Sequence, residues 1–357
     1  MAQHFYTQPA PRHHVFVGAV HGGHPCVFAL TMDAASGSLR RLSDEPAALV
    51  PDEMDTSNIG GPWVTVDPSG GKSLYIAIRD GSRDASGNYI AAFGIAVRAQ
   101  AHPPDTPGPR TLRRPRARAP GPESRREMRP PRPVPAQPSG ELRPLGSQTT
   151  VVPGSPHCSL DPSGSVLICS TMLGGGVTSY PVAADGSLRP HASVHELPGG
   201  GTGACLARPG FGGTVGSQGQ NMGHSAQLAM DGKRVFVPDL GADRVWAFDI
   251  DTTTGATDYA QVPSFKAPDG CGPRHLAAHP NGRWLYLITE MACTVIALEY
   301  DSDSGEMAEI GTTSTLPSDW GGRYSVAGGW TGTYEYDASH PGCTTADIHV
   351  SADGRFV

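Results

Sequence analysis

Three polar side chains stand where loops meet strand-like runs, and their types suit acid–base and anion chemistry. His224 lies in GHSAQL, Arg274 precedes His275 in GCGPRHL, and Glu290 follows the apolar run WLYLIT. An arginine fork matches a carboxylate or phosphate bidentately. A histidine with a glutamate can take a proton from water and return one to a leaving oxygen. His224 and Arg274 stand 50 residues apart, each just ahead of a strand, so a repeat of that length would give them equivalent places in neighbouring units. The plainer alternatives are a hydrogen-bonded structural histidine and a solvated loop carboxylate. Other constellations are absent: no P-loop, no G-x-G-x-x-G after a strand and no H-E-x-x-H occurs. His275 and His279 have metal-like spacing, but Pro280 and the strand context defeat a helical zinc site. GHSAQ lacks the final glycine of a nucleophile elbow, so Ser225 reads as structural. No spacing calls for a metal or a cofactor.

The elements that must position these residues come from an internal repeat. A turn-plus-strand phrase recurs as VDPSGGKSLYIA, LDPSGSVLICS, LAMDGKRVFVPD, AHPNGRWLYLIT and VSADGRFV, with turn glycines at 70, 164, 232, 282 and 354. A second phrase, a strand ending in a D-x-x-x-G type of hairpin, follows in CVFALTMDAASGSL, VTSYPVAADGSL, VWAFDIDTTTGA and VIALEYDSDSGEM. Two phrases per period make about four short strands per unit, the size of a β-propeller blade. The alternative is a β-sandwich with coincidental turns. Aligning strands on Tyr75, Ile168, Phe236 and Tyr286 puts Arg79, Met172, Leu240 and Glu290 at one equivalent strand-end position, where a propeller's ligand face lies. The expected fold is an all-β propeller with about five blades. Val357 falls inside the fifth phrase, so the ring is expected to be incomplete, as in a fragment or a truncated gene product.

One segment breaks the repeat. Arg98–Gln137 has ten arginines, eleven prolines, no lysine and no aromatic residue, and cannot bury enough apolar surface to order itself. The chain therefore reads as a single propeller domain over 1–357 interrupted by a disordered Arg/Pro-rich insert at 98–137, on a hairpin tip. A basic tail for an acidic partner and a stretch that is not natural coding sequence are the two readings of it, and its composition favours the second. The insert carries +7 of a chain whose net charge is −7, leaving −14 for the rest. A body of that charge excludes nucleic acid as the main partner. No apolar run approaches the roughly 20 residues that span a bilayer, and no apolar leader is visible. Seven cysteines without C-x-x-C spacing argue against a disulfide framework. A soluble, reducing, cytoplasmic setting is expected.

The segments GHSAQLAMDGKRVFVPDLGADRV, GPRHLAAHPNGRWLYLITE, TSTLPSDW and ADIHVSADGRFV resemble the seven-bladed propeller lactonase family, comprising propeller-type 6-phosphogluconolactonases and carboxy-cis,cis-muconate cyclases. The resemblance covers most of the chain outside Arg98–Gln137 and is strongest from His224 to Pro317. It implies a catalytic set of His224, Arg274 and Glu290 and a small anionic lactone or carboxylate substrate. The arginine of the family's Asn-Arg pair after ADIH-x-SPDGRFLY has no counterpart in this sequence. Thr289 replaces the usual asparagine, and Gly199–Gly219 and Tyr324–Cys343 lengthen two connections. Three activities follow as expectations: hydrolysis of a sugar-acid lactone such as 6-phosphogluconolactone, cyclisation of a carboxy-muconate, or a non-catalytic binding scaffold. The three site residues are expected to converge on one end of the channel. Arg274 is expected to hold Glu290 ionised as a base and leave His224 as proton donor.

Overall fold

The computed structural model describes residues 12–21, 24–33, 36–49, 63–69, 71–78, 89–98, 137–150, 157–171, 175–198, 221–259, 264–318 and 344–357, which form 21 strands and no α-helix. The strands make five antiparallel sheets in chain order. The first holds β1 (Arg12–His21), β2 (His24–Asp33), β3 (Leu39–Arg41) and β4 (Ala48–Leu49); the second holds β5 (Trp63–Val66), β6 (Ser73–Ile78), β7 (Tyr89–Arg98) and β8 (Gln137–Thr149). The third comprises β9 (His157–Leu160), β10 (Val166–Thr171), β11 (Gly176–Pro181) and β12 (Ser193–Glu196). In the fourth lie β13 (Gln227–Leu228), β14 (Arg234–Asp239), β15 (Arg244–Ile250), β16 (Thr257–Tyr259) and β17 (Phe265–Lys266). The fifth has β18 (Pro273–Ala278), β19 (Trp284–Thr289), β20 (Thr294–Tyr300) and β21 (Met307–Ser314). Each chain path meanders outward from a first strand, and the first strands β1, β5, β9, β13 and β18 touch in succession. The sheets are thus blades set side by side around an axis.

The second strand of each blade explains why its sequence is apolar at nearly every position. Successive side chains of a strand point to opposite faces. On β6, Leu74, Ile76 and Ile78 pack with Val27 of the first blade, while Tyr75 and Ala77 pack with Leu167 and Tyr180 of the third. On β14, Val235 and Val237 meet Val166 and Ile168, whereas Phe236 meets Leu276, Leu285 and Leu287 of the fifth blade. Both faces of a blade are buried, so polar alternation disappears. Tyr75, Ile168, Phe236 and Tyr286 all face the following blade or the segment after it.

The hairpin turns close as their sequences require. The amide N–H groups of Gly37, Gly255 and Gly305 donate to the carbonyls of Asp33, Asp251 and Asp301 at 2.7–2.8 Å, with the glycines left-handed. In the first phrase Gly71 is left-handed, at φ 62°, and Gly70 lies outside the described residues. The number of blades matches expectation, but their correspondence to the phrases is shifted. The first sheet has no copy of the first phrase, since β1 and β2 pair down to His21↔His24 across a Gly-Gly connection. Conversely, the fifth phrase makes its turn, with the Gly354 N–H donating to Ser351, but residues 344–357 contain no strand. They pack on the fifth blade instead: Ile348 contacts the cluster of Ala277 and Ile288, and the His279 ring bonds the Gly354 carbonyl at 3.0 Å.

β7 and β8 pair out to Arg98↔Gln137, so the two ends of the insert are brought together at one hairpin. Of the insert expected to be disordered over 98–137, Arg98 and Gln137 are strand ends, and residues 99–136 lie outside the described residues, as do all of Gly199–Gly219 and Tyr324–Cys343. The cysteine expectation needs correction. Cys158 and Cys169 face each other across β9 and β10, with Cα atoms 4.3 Å apart, and form a disulfide. Counting and spacing along the chain cannot reveal cysteines that neighbouring strands set opposite one another.

Phe236 is fully buried and meets Tyr300 edge-on at 5.0 Å. Phe236→Ala is expected to cost about 4 kcal/mol of stability, whereas Ile310→Ala on the exposed β21 should stay within about 0.5 kcal/mol. Urea unfolding of both variants checks the radial packing.

Candidate active site

Arg274 and Glu290 meet because β18 and β19 are antiparallel. The start of one strand lies beside the end of the other, in the register Pro273↔Thr289. The register shifts between Pro273 and His275, so Arg274 is the extra residue of a bulge, a device that re-aims a side chain. Its Nε–H donates to Glu290 Oε2 at 2.8 Å, and its Nη1 donates to the Ala346 carbonyl. The Glu290 backbone N–H in turn donates to the Gly272 carbonyl at 2.7 Å, tying the two loops together. The pair is mostly buried, with side chains 22% and 18% exposed.

Two buried carboxylates on one turn hold the loops that carry the site. Asp239, ending β14, accepts the Met222 N–H at 2.7 Å, those of Gly241 and Ala242 at 3.0 Å, and the Trp246 indole N–H at 3.0 Å. It thereby fixes the segment entering His224, whose own N–H donates to the Pro238 carbonyl. Asp243, four residues on, accepts the Gly270 and Gly272 N–H groups at 2.8 and 3.0 Å and so fixes the loop entering Arg274. Leu240 and Glu290 both follow their strands directly, in the equivalent positions expected; Arg79 and Met172 lie outside the described residues.

His224 joins Arg274 through a ring that residue type alone leaves unassigned. The His275 and His224 ring centroids are 5.3 Å apart, and Arg274 Nη1 lies 3.4 Å from His275 Nε2. His157 and Trp63 extend the cluster, each 5.3 Å from His275 and 4.4 Å from one another. A cavity of about 190 Å³ is lined by Trp63, His157, Gln227, His275, Asp347 and His349. A signal for this cluster exists in the sequence. Seven residues before the five turn glycines stand Trp63, His157, Ser225, His275 and Asp347, and one residue earlier in two of the phrases stand His224 and Arg274.

Charge states follow from burial. Desolvation, with Arg274 and His275 next, pushes the His224 imidazole well below its ordinary value of 6.5. His157 is also pushed well down by burial and by His275. His275 is lowered by burial, partly offset by its bond to Asp347. Glu290 moves up, because burial outweighs the opposing charge and hydrogen bond of Arg274. Burial thus favours the neutral imidazole at His224 and raises the proton affinity of Glu290, the opposite directions from those expected of a proton donor and an ionised base. Among the described residues, no group of His, Cys, Asp and Glu is arranged to hold a metal ion, and no helix is long and apolar enough to cross a membrane.

A family model described as a seven-bladed β-propeller lactonase matches residues 135–357. The chain belongs to that family. Its curated relatives include the 6-phosphogluconolactonase of Bacillus subtilis, 31% identical over 219 residues covering 61% of this chain and 53% of that protein. An uncharacterised protein of Lactococcus lactis subsp. cremoris is 31% identical over 215 residues, 60% of this chain and 52% of that one. The chain thus spans about half the length of the curated relatives it matches. Among solved structures, the periplasmic gluconolactonase PpgL of Pseudomonas aeruginosa superposes with a TM-score of 0.63 at 19% identity, covering 97% of this chain and 74% of that chain, which shows the common fold. The lactonase-family fold thus supplies the frame in which the first strands present Trp63, His157 and His275 at one end.

Unfolding brings His157, His224 and His275 into water, where each takes up a proton that the folded protein refuses. Below pH 6.5 the unfolded chain binds more protons, so stability falls as pH drops, by up to about 1.4 kcal/mol per pH unit for each histidine. Glu290 acts with the opposite sign, losing stability as pH rises from its ordinary 4.5 through its raised folded value. Urea unfolding at pH 7.5, 6.5 and 5.5 should show a fall below 6.5 that His157→Gln makes shallower. A flat profile would mean that the rings are solvated and charged.

Proposed function

We propose that the protein hydrolyses a sugar-acid lactone bearing an anionic group, with 6-phosphogluconolactone as the type substrate. The observation that carries this reading is the Arg274–Glu290 pair beside a neutral, buried His224. Arg274 Nη2 and Glu290 Oε1 have no hydrogen-bond partner among the described residues, and neither does His224 Nδ1. The free Arg274 Nη2 donates to the substrate's phosphate or carboxylate. His224 accepts a proton from water as the water oxygen attacks the lactone carbonyl carbon. The ring C–O bond then breaks, and the departing alkoxide takes a proton from Glu290. The product is the open hydroxy acid, and the proton held by His224 returns through solvent to Glu290. An anion on Arg274 also weakens the positive charge felt by Glu290, which raises its proton affinity when it must act as an acid.

The relatives' names fit this reading, since 6-phosphogluconolactonase recurs among them. A cytoplasmic setting belongs to the same proposal. The Cys158–Cys169 bridge pulls the other way, because such bridges persist in oxidising compartments; thiol titration of freshly isolated protein decides between them.

The test is acid release from gluconolactone-type substrates. Glu290→Gln is expected to lower kcat by about 10²–10⁴-fold, and Arg274→Lys to raise KM for the phosphorylated lactone more than for the unphosphorylated one. Wild-type hydrolysis no faster than the spontaneous rate would overturn the reading. Loss of muconate absorbance in its place would assign the cyclase reaction.

A further inference from the structure

The Arg274 guanidinium is held by a group from outside its own blade. Its Nη1 reaches the Ala346 carbonyl, and the next residue, Asp347, binds the ring beside it. Asp347 Oδ1 accepts the His275 Nδ1–H at 2.7 Å. With its proton on Nδ1, the neutral imidazole has only a lone pair at Nε2. That lone pair faces Arg274 Nη1 at 3.4 Å, the arrangement in which the arginine donates. The other tautomer would set an N–H against the guanidinium N–H groups. Asp347 is itself fixed: Oδ1 also accepts the Ile348 N–H, and Oδ2 accepts from His349 Nε2, both at 2.9 Å. Burial opposes the charge of Asp347, but its hydrogen bond and proximity to His275, then His349, hold the carboxyl well below the usual carboxylate range.

The ring is locked as well as polarised. His275 is 5% exposed and packed among Trp63, His157 and His224, so it cannot turn to offer its other nitrogen without displacing three neighbours. Arg274 itself sits on a bulge, where the ladder gives its backbone less support.

We propose that Asp347 and His275 are a positioning pair for Arg274: the carboxylate fixes the tautomer of the ring, and the ring's Nε2, with the Ala346 carbonyl, fixes the plane of the guanidinium so that its free Nη2 is presented to the substrate anion. This rests on the lactonase reading for the identity of that anion. It assigns to His275 and Asp347 a role in anion affinity rather than in proton transfer to the lactone. The site is then shared between the fifth blade and the segment 344–350 that follows it.

Binding of 6-phosphogluconate, the open product, measured by calorimetry, separates this inference from the hydrolysis itself. His275→Phe keeps a ring in the cluster but removes both nitrogens; it is expected to weaken binding about tenfold, the equivalent of one hydrogen bond to a charged group. His275→Gln retains an acceptor and a donor and should remain within about threefold of wild type. Asp347→Asn removes the charge that fixes the tautomer, at a residue exposed enough to tolerate the change, and should fall between the two. Hydrolysis of the unphosphorylated lactone should lose far less than binding of the phosphorylated product. If His275→Phe does not fold, the Gln and Asn variants still rank. Equal affinity of the folded variants, with binding still abolished by Arg274→Ala, would overturn the positioning role alone. Absence of Arg274-dependent binding in the wild type would overturn the substrate reading and this inference with it.

Discussion

The structure depends on one constraint: each sheet must bury both of its faces, and no helix among the described residues is available to cover them. Sheets with apolar side chains on both faces can only cover each other. Repeating that contact through the pairs Leu74–Val27, Tyr75–Leu167, Ile168–Val235 and Phe236–Leu285 turns the blades about a common axis. The direction of the chain then does the rest. Every first strand from the second blade onward starts at the same end, so Trp63, His157 and His275, each at or near a strand start, meet there without any loop designed to gather them. Burial of hydrocarbon far from the axis thus decides where the polar rings stand.

What the blades bring near, the β14–β15 turn holds in place. Asp239 and Asp243 lie four residues apart, yet one fixes the loop entering His224 and the other the loop entering Arg274 in the next blade. Asp239 lies under a heavy desolvation load, which raises its proton affinity despite four donors. A carboxylate in that position is costly alone and well satisfied in company, so its geometry tolerates little variation. One turn therefore couples the two halves of the site. In the fifth blade Thr289 and Cys293 occupy the corresponding positions, and the left-handed backbone at Asp243 recurs at Cys293, with φ 52° and 53°. There Thr289 offers its carbonyl to the Thr345 hydroxyl at 2.9 Å, attaching residues 344–350 to the same face.

The Arg274–Glu290 pair illustrates a balance that distance alone does not settle. At 2.8 Å the attraction is strong, but both groups have given up most of their water. Arg274 also divides its donors among Glu290, Ala346 and His275, which leaves Glu290 with a single bond rather than a bidentate one. Desolvation therefore wins at the carboxyl. The same burial strips protons from the neighbouring imidazoles, since both kinds of group move toward their neutral forms. The site thus sets the Arg274 guanidinium among imidazoles that burial keeps neutral, with the Asp347 carboxylate on the far side of His275.

The sequence by itself determined the blade: the recurring turn and strand phrases, the four-strand unit, the strand-end position of Glu290 and the matched placement of His224 and Arg274. These are local facts, set by turn chemistry and by the period of two along a strand. Tertiary structure decided what proximity decides. It joined Cys158 to Cys169 across a ladder, lowered the proton affinity of His224 and raised that of Glu290 through burial, and shifted the correspondence of phrases to blades by packing residues 344–357 on the fifth sheet. His275 and Asp347 lay in plain view at the same distance from their turn glycines, but their types say nothing of a partner 72 residues away. Only closing the blades around an axis makes that separation 2.7 Å, because desolvation and hydrogen-bond geometry are properties of neighbours in space.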